Sequence, residues 1–121
     1  GAAHAFACDI DEKCLDVAYE NAALNGIGRD VYTVRTGDIL TDGGLQKEIG
    51  TGYDVVLANI VADVIIALAP AVRPLLKPEG VFICSGIIDD RAVETADKLR
   101  QAGLAILESR ESEGWFSYVC R

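Results

Sequence analysis

Basic residues are scarce in this chain of 121 residues, where eleven Lys and Arg stand against nineteen Asp and Glu for a formal charge of −8. That balance is a poor footprint for gripping a phosphate backbone, so no direct nucleic-acid partner is expected. A basic protein suits the surface better, although an acidic surface also serves solubility alone. The four cysteines, Cys8, Cys14, Cys84 and Cys120, form no C-x-x-C pair. Three of them lie in apolar segments, where reduced Cys behaves as a small hydrophobe. A cytoplasmic setting is therefore expected rather than a secreted one, and no metal site. No apolar run approaches the roughly 18 residues of a membrane helix, and the first residues do not resemble a signal peptide, so no membrane association is expected. The single histidine, His4, opens the first apolar segment and reads as structural. Internal repeats and low-complexity stretches are also missing.

What is present is a globular balance, half hydrophobic and a quarter charged, at a size that fits one domain over residues 1–121. Strand-like and helix-like segments alternate along it. Residues 3–8 are a short apolar run ending in Asp9. A helix then follows, with Asp11 as its cap, Leu15, Ala18, Tyr19 and Ala22 at helical spacing, and Gly26 as its stop. The β-branched and aromatic residues 31–36 predict a second strand, and the glycine-rich residues 41–52 a loop that can hold one helical turn. Residues 53–58 are nearly continuously apolar, the pattern of a strand covered on both faces. Pro70 and Pro74 should divide the apolar stretch 61–76 into short helical pieces.

Residues 81–85 repeat the buried-strand pattern after the turn Lys77-Pro78-Glu79-Gly80. Asp89 or Asp90 should then cap a helix holding Val93, Ala96 and Leu99 that ends at Gly103. Residues 104–107 and 115–120 read as strands joined by the polar residues 108–114, too few for a crossover helix, so they must pair as an antiparallel hairpin. The expected fold is thus Rossmann-like α/β, mostly parallel, with a C-terminal antiparallel hairpin. That reversed ending resembles S-adenosylmethionine-dependent methyltransferases more than dinucleotide-binding domains.

Ligands of open α/β sheets bind beyond the carboxyl ends of the strands, which selects Asp9, Asp38, Asn59 and Ser85-Gly86. A carboxylate at Asp9 can accept hydrogen bonds from two ribose hydroxyls, or it can cap the helix that follows. Asp38 can accept from an adenine amine while Ile39 packs on the ring, or it can be an ordinary turn acid. Asn59 stands between apolar neighbours, which predicts a buried amide held in one orientation, with a turn or cap as the alternative. A glycine-rich fingerprint lies about 20 residues before such an acid as Asp9, and counting back runs past Gly1. The expected loop and its strand are therefore upstream.

Asp9-Ile10-Asp11, Asn21-Ala22-Ala23-Leu24-Asn25-Gly26, Thr36-Gly37-Asp38, Asn59-Ile60-Val61-Ala62, Leu75-Leu76-Lys77-Pro78-Glu79-Gly80 and Ser85-Gly86-Ile87 together resemble PrmA, the family of bacterial methyltransferases of ribosomal large-subunit protein eleven. The resemblance spans essentially the whole chain, and Asn59-Ile60-Val61-Ala62 is its most telling piece. It implies S-adenosylmethionine as cofactor and methylation of lysine side chains and an N-terminal amine on a basic ribosomal protein. It also implies cofactor contacts from Asp9, Ile10, Asp38 and Ile39, a catalytic role for Asn59, and substrate contacts from Asn59, Ser85 and Gly86.

The family's N-terminal recognition domain, its linker and its first strand have no counterpart here, so the chain is expected to be a partial methyltransferase domain, inactive alone. In the family fold the absent strand lies between residues 3–8 and residues 53–58. Those two strands should then pair directly or be closed by another chain, giving an oligomer. Two other readings stay open, a methyltransferase of a different amine and a non-catalytic binding module. A nicotinamide-dependent dehydrogenase fits the terminal hairpin less well.

Overall fold

The computed structural model describes residues 4–9, 13–28 and 31–121, with the side chains of residues 9 and 13–15 outside that description. Ile10 and the expected helix cap Asp11 fall outside it as well. Two compact units form, Gly1–Gly50 and Thr51–Arg121, and each has its own sheet.

The first unit contains β1 (Ala5–Asp9), α1 (Lys13–Leu24), β2 (Tyr32–Thr36) and α2 (Gly43–Ile49). β1 and β2 are parallel and in register from Ala5 opposite Tyr32 to Asp9 opposite Thr36, with α1 as the crossover that parallel strands require. Tyr19 ties α1 to β2, its hydroxyl donating to the Val34 carbonyl at 3.2 Å and accepting from the Val34 N–H at 2.8 Å. Ala22 and Val34 are buried there. The helix stops as expected at Gly26, whose φ of 73° suits glycine, and the Ile27 N–H closes back on the Ala22 carbonyl at 2.9 Å. His4 Nε2 lies 3.4 Å from Thr33 Oγ1, between the two strands. Cys8 is exposed, so its apolar surroundings in sequence do not bury it.

The loop expected over residues 41–52 contains instead the helix α2. Asp42 caps it by accepting the Leu45 N–H at 3.0 Å, and Leu45 is its buried anchor. A cap and one apolar contact outweigh the low helix propensity of the glycine pair at its start.

The second unit contains β3 (Tyr53–Asn59), α3 (Ala62–Leu75), β4 (Leu76–Ile88), α4 (Asp89–Gln101), β5 (Ile106–Ser112) and β6 (Trp115–Cys120). Its strand order is β3-β4-β6-β5. β4 is parallel to β3, and β6 is antiparallel to both its neighbours, which is the expected parallel core with a reversed ending. One sheet face is buried, presenting Ala58, Phe82, Cys84, Tyr118 and Cys120. α4 lies on it with Ala92, Ala96 and Leu99 buried, and the Tyr118 hydroxyl donates to the Ala92 carbonyl at 2.9 Å. Phe82 and Leu99 are fully buried, each contributing roughly 1.5–3 kcal/mol. Cys84 and Cys120 hydrogen-bond each other in this core, and that bond together with burial pushes the Cys84 thiol well above its usual range.

Several expectations are corrected in this unit. α3 runs unbroken through Pro70 and Pro74. Each proline removes one helical donor, but the buried stripe of Ile65, Leu68, Ala69 and Val72 holds the helix together. β3 is covered on one face only, since Val55 and Leu57 are 47% and 72% exposed. β4 alternates buried and half-buried positions in the same way. The turn Lys77-Pro78-Glu79-Gly80 is a bulge within β4, because pairing passes from Tyr53 opposite Leu76 to Val55 opposite Val81. Gly80 permits this, as a Cβ there would lie 2.7 Å from the Tyr53 carbonyl oxygen.

Asp89 and Asp90 occupy the first turn of α4 and favour its positive end without capping it, the N-cap being Ile88. Val93 faces solvent at 76% exposure. In the hairpin the polar residues up to Ser112 are strand, and the turn is Glu113-Gly114, both at positive φ. That is the two-residue turn whose twist matches the flanking strands. β1 belongs to the sheet β1-β2 of the first unit, and β3 is an end strand of the sheet β3-β4-β6-β5 of the second.

Candidate functional site

The residues selected at strand ends fall into one group in each unit. In the first, Asp9 and Thr36 end the parallel pair side by side, and Gly37-Asp38 follows directly. Asp38 is half-buried. Its Oδ1 accepts the Leu40 N–H at 2.9 Å, and its carbonyl accepts the N–H groups of Thr41 and Asp42 at 3.0 and 2.8 Å. This is a built turn, and it occupies one carboxylate oxygen while a carboxylate offers two. Gly37 is required there, because a Cβ would meet Asp42 Oδ2 at 2.9 Å and its φ is 146°. Ile39 is fixed beside the turn by the Gln46 side chain, whose Nε2 donates to its carbonyl at 2.7 Å. The Asp9 side chain and all of Ile10 lie outside the described residues.

In the second unit the structure brings Asn59, Ser85 and Gly86 together. Asn59 ends β3 directly opposite Ser85. Gly86 follows at φ 84°, and a Cβ on it would lie 2.7 Å from Asn59 Oδ1 and 3.2 Å from the Ile60 carbonyl oxygen. The missing side chain is what makes room for the Asn59 amide. Asn59 is exposed, which corrects the expectation of a buried amide. Its orientation is limited by the Gly86 backbone on one side rather than by an apolar shell, because Ile60 and Val61 beside it are themselves exposed.

Sequence reasoning missed the contribution of the hairpin. β6 runs back along β4 with Phe116 opposite Ile87 and Trp115 opposite Ile88. A cavity of about 380 Å³ results, lined by Ser85, Gly86, Trp115 and Phe116 with Arg110, Glu111, Ser112 and Ser117. Trp115 is 54% exposed at this cavity. The hairpin itself was legible in the sequence, but not its pairing with β4, which is what brings Trp115 and Phe116 beside Ser85. A second cavity, about 320 Å³ on the α1 surface around Tyr19 and Ile27, involves none of the selected residues.

The helices that follow the site segments are linked. The Arg91 Nη2 donates to Asp63 Oδ1 at 2.6 Å, and its Nε donates to Glu94 Oε1 at 2.8 Å. The Arg91 hydrogen bond holds the Asp63 carboxyl below the usual carboxylate range. The Asp89 N–H donates to the Gly114 carbonyl at 2.9 Å. Chemically, the second group offers an amide oxygen against Gly86, which itself lines a small, partly aromatic cavity. The first offers the Asp38 carboxylate just beyond the end of a parallel pair.

A family model described as ribosomal protein L11 methyltransferase (PrmA) matches residues 1–121. A ribosomal protein L11 methyltransferase of Desulforamulus reducens is 44% identical over 120 residues, covering 99% of this chain and 37% of the relative. Among solved structures, a ribosomal protein L11 methylase of Lactobacillus delbrueckii subsp. bulgaricus is similar with a TM-score of 0.87 at 26% identity, over 100% of this chain and 58% of that one. Aeropyrum pernix fibrillarin, solved with natively bound S-adenosyl-L-methionine, shares the fold at a TM-score of 0.75 and 11% identity, over 98% of this chain and 55% of that one. The chain thus spans little more than a third of the length of the curated relatives it matches.

Proposed function

Since the chain belongs to the ribosomal protein L11 methyltransferase (PrmA) family, we propose that residues 1–121 serve as part of one S-adenosylmethionine-dependent methyltransferase domain that methylates amino groups of ribosomal protein L11. The observation that carries this reading is the space that Gly86 leaves for Asn59 Oδ1, which sets an amide oxygen beside the Ser85-Gly86 cavity. S-adenosylmethionine would supply an activated methyl on its sulfonium, with neutral S-adenosylhomocysteine as the leaving group.

Asn59 Oδ1 accepts a hydrogen bond from the neutral substrate amine and aims its lone pair, so that the protein's contribution is positioning. Ser85 and Gly86 line the path of the amine, with Trp115 and Phe116 giving its aliphatic stem an apolar wall. The amine's proton passes to solvent. Asp9 and Ile10 hold the ribose end of the nucleoside, and Asp38 with Ile39 its adenine. The Asp38 turn suits this, because the Leu40 N–H engages only Oδ1. The formal charge of −8 fits a basic ribosomal protein, and a cytoplasmic setting goes with that substrate. Among the described residues no helix is long and apolar enough to cross a membrane. Closure of the β1 and β3 edges by another chain remains part of the proposal.

The test is methyl transfer by the complete enzyme from radiolabelled S-adenosylmethionine to purified L11, with a free amine and an RNA as competing acceptors. Label is expected in L11. Label in another acceptor only would replace the substrate, and binding without turnover would favour a non-catalytic module.

A further inference from the structure

α3 and α4 begin just after the two segments of the site, at Ala62 behind Asn59 and at Asp89 behind Gly86. Neither start has a side-chain cap, since Val61 and Ile88 at the N-cap positions make no such bond. The two first turns are held by a different device. Arg91, in the first turn of α4, reaches across with Nη2 to Asp63 in the first turn of α3, while its Nε donates to Glu94. The arginine side chain is only 31% exposed. The same turn of α4 is tied to the hairpin by the Asp89 N–H on the Gly114 carbonyl and by the Tyr118 hydroxyl on the Ala92 carbonyl. One helix start is therefore joined both to the start of α3, behind Asn59, and to the hairpin whose strand β6 borders the Ser85-Gly86 cavity.

We propose that Arg91 is a positioning residue for Asn59: its clasp on Asp63 fixes the start of α3, and hence the Asn59-Ile60-Val61 segment, against Gly86 and the hairpin. The proposal rests on the methyl-transfer reading for its catalytic consequence, not for the clasp itself. Exposed ion pairs add little to stability. A planar guanidinium with two fixed acceptors nonetheless sets both distance and angle in a way a lysine cannot. Where catalysis is positioning, a shift of the order of 1 Å is felt as lost turnover rather than as unfolding.

Arg91→Met, Arg91→Lys, Asp63→Ala and the double variant Asp63→Ala/Arg91→Met, made in the complete enzyme, test this by amide hydrogen exchange and by kinetics. Arg91→Met should speed exchange at residues 60–64 and lower kcat about tenfold, with KM for S-adenosylmethionine held within about twofold. Arg91→Lys should recover part of the loss. The double variant should be no slower than Arg91→Met, because the two groups act as one unit. Unchanged exchange at residues 60–64, or losses that multiply in the double variant, would overturn the proposal. Faster exchange in a protein that never methylates L11 would uphold the clasp and remove the functional reading instead.

Discussion

Gly86→Ala is the substitution whose outcome the geometry determines most closely. The added Cβ would lie 2.7 Å from Asn59 Oδ1, where 3.4 Å is ordinary contact, so the amide must retreat by about 0.7 Å or rotate away. The φ of 84° at Gly86 adds backbone strain of about 1–2 kcal/mol for an L side chain. Gly103→Ala is the matched control, since its φ is 91° and a Cβ there meets nothing within 4 Å. Both variants should lose stability through the shared positive-φ strain, with Gly86→Ala losing somewhat more because its Cβ also crowds Asn59 Oδ1 and the Ile60 carbonyl, read as drops in Tm. Only Gly86→Ala should lose turnover, by on the order of 10- to 100-fold, if Asn59 positions the amine. Methyl transfer to L11 at saturating cofactor, measured beside thermal unfolding of both proteins, separates the two effects. Equal turnover in the two variants would refute the role given to the Asn59–Gly86 contact.

Asn59→Ala should lower kcat far more than it weakens cofactor binding, and a variant with wild-type turnover would end the assignment of Asn59. Asp42→Ala removes the cap that accepts the Leu45 N–H and should cost about 1 kcal/mol. Asp42→Asn should restore most of it, and equal denaturation midpoints for all three proteins would show that the cap is idle.

Much of the fold was legible because strands and helices alternate with clear punctuation. Gly26 and Gly103 stop their helices at positive φ, and residues 115–120 could only return as an antiparallel strand. Where the reading failed, tertiary context overrode local signals. Two prolines did not break α3, because its buried stripe holds the helix on either side of the lost donors. Asp42 capped a helix hidden by the glycines at 43 and 44.

Apolar continuity in β3 misled for another reason. Continuous hydrophobicity reports what a strand can bury, and one face of this strand remains exposed at Val55 and Leu57. Within the site, Asn59, Ser85 and Gly86 were readable from their places at strand ends, and the register puts them together. Trp115 and Phe116 were not, because their nearness to Ser85 depends on how β6 pairs with β4. The Arg91–Asp63 clasp joins residues 28 apart in the sequence, beyond the reach of any local pattern.

The central claim, that this chain contributes to an S-adenosylmethionine site rather than a nicotinamide site, is tested most directly by calorimetric titration of the complete enzyme and its Asp9→Ala variant. S-adenosylhomocysteine should bind the wild type and NAD should not, and Asp9→Ala should weaken S-adenosylhomocysteine at least about tenfold, as loss of hydrogen bonds to a charged group implies. Preferential binding of NAD, or S-adenosylhomocysteine affinity unchanged by Asp9→Ala, would contradict the account.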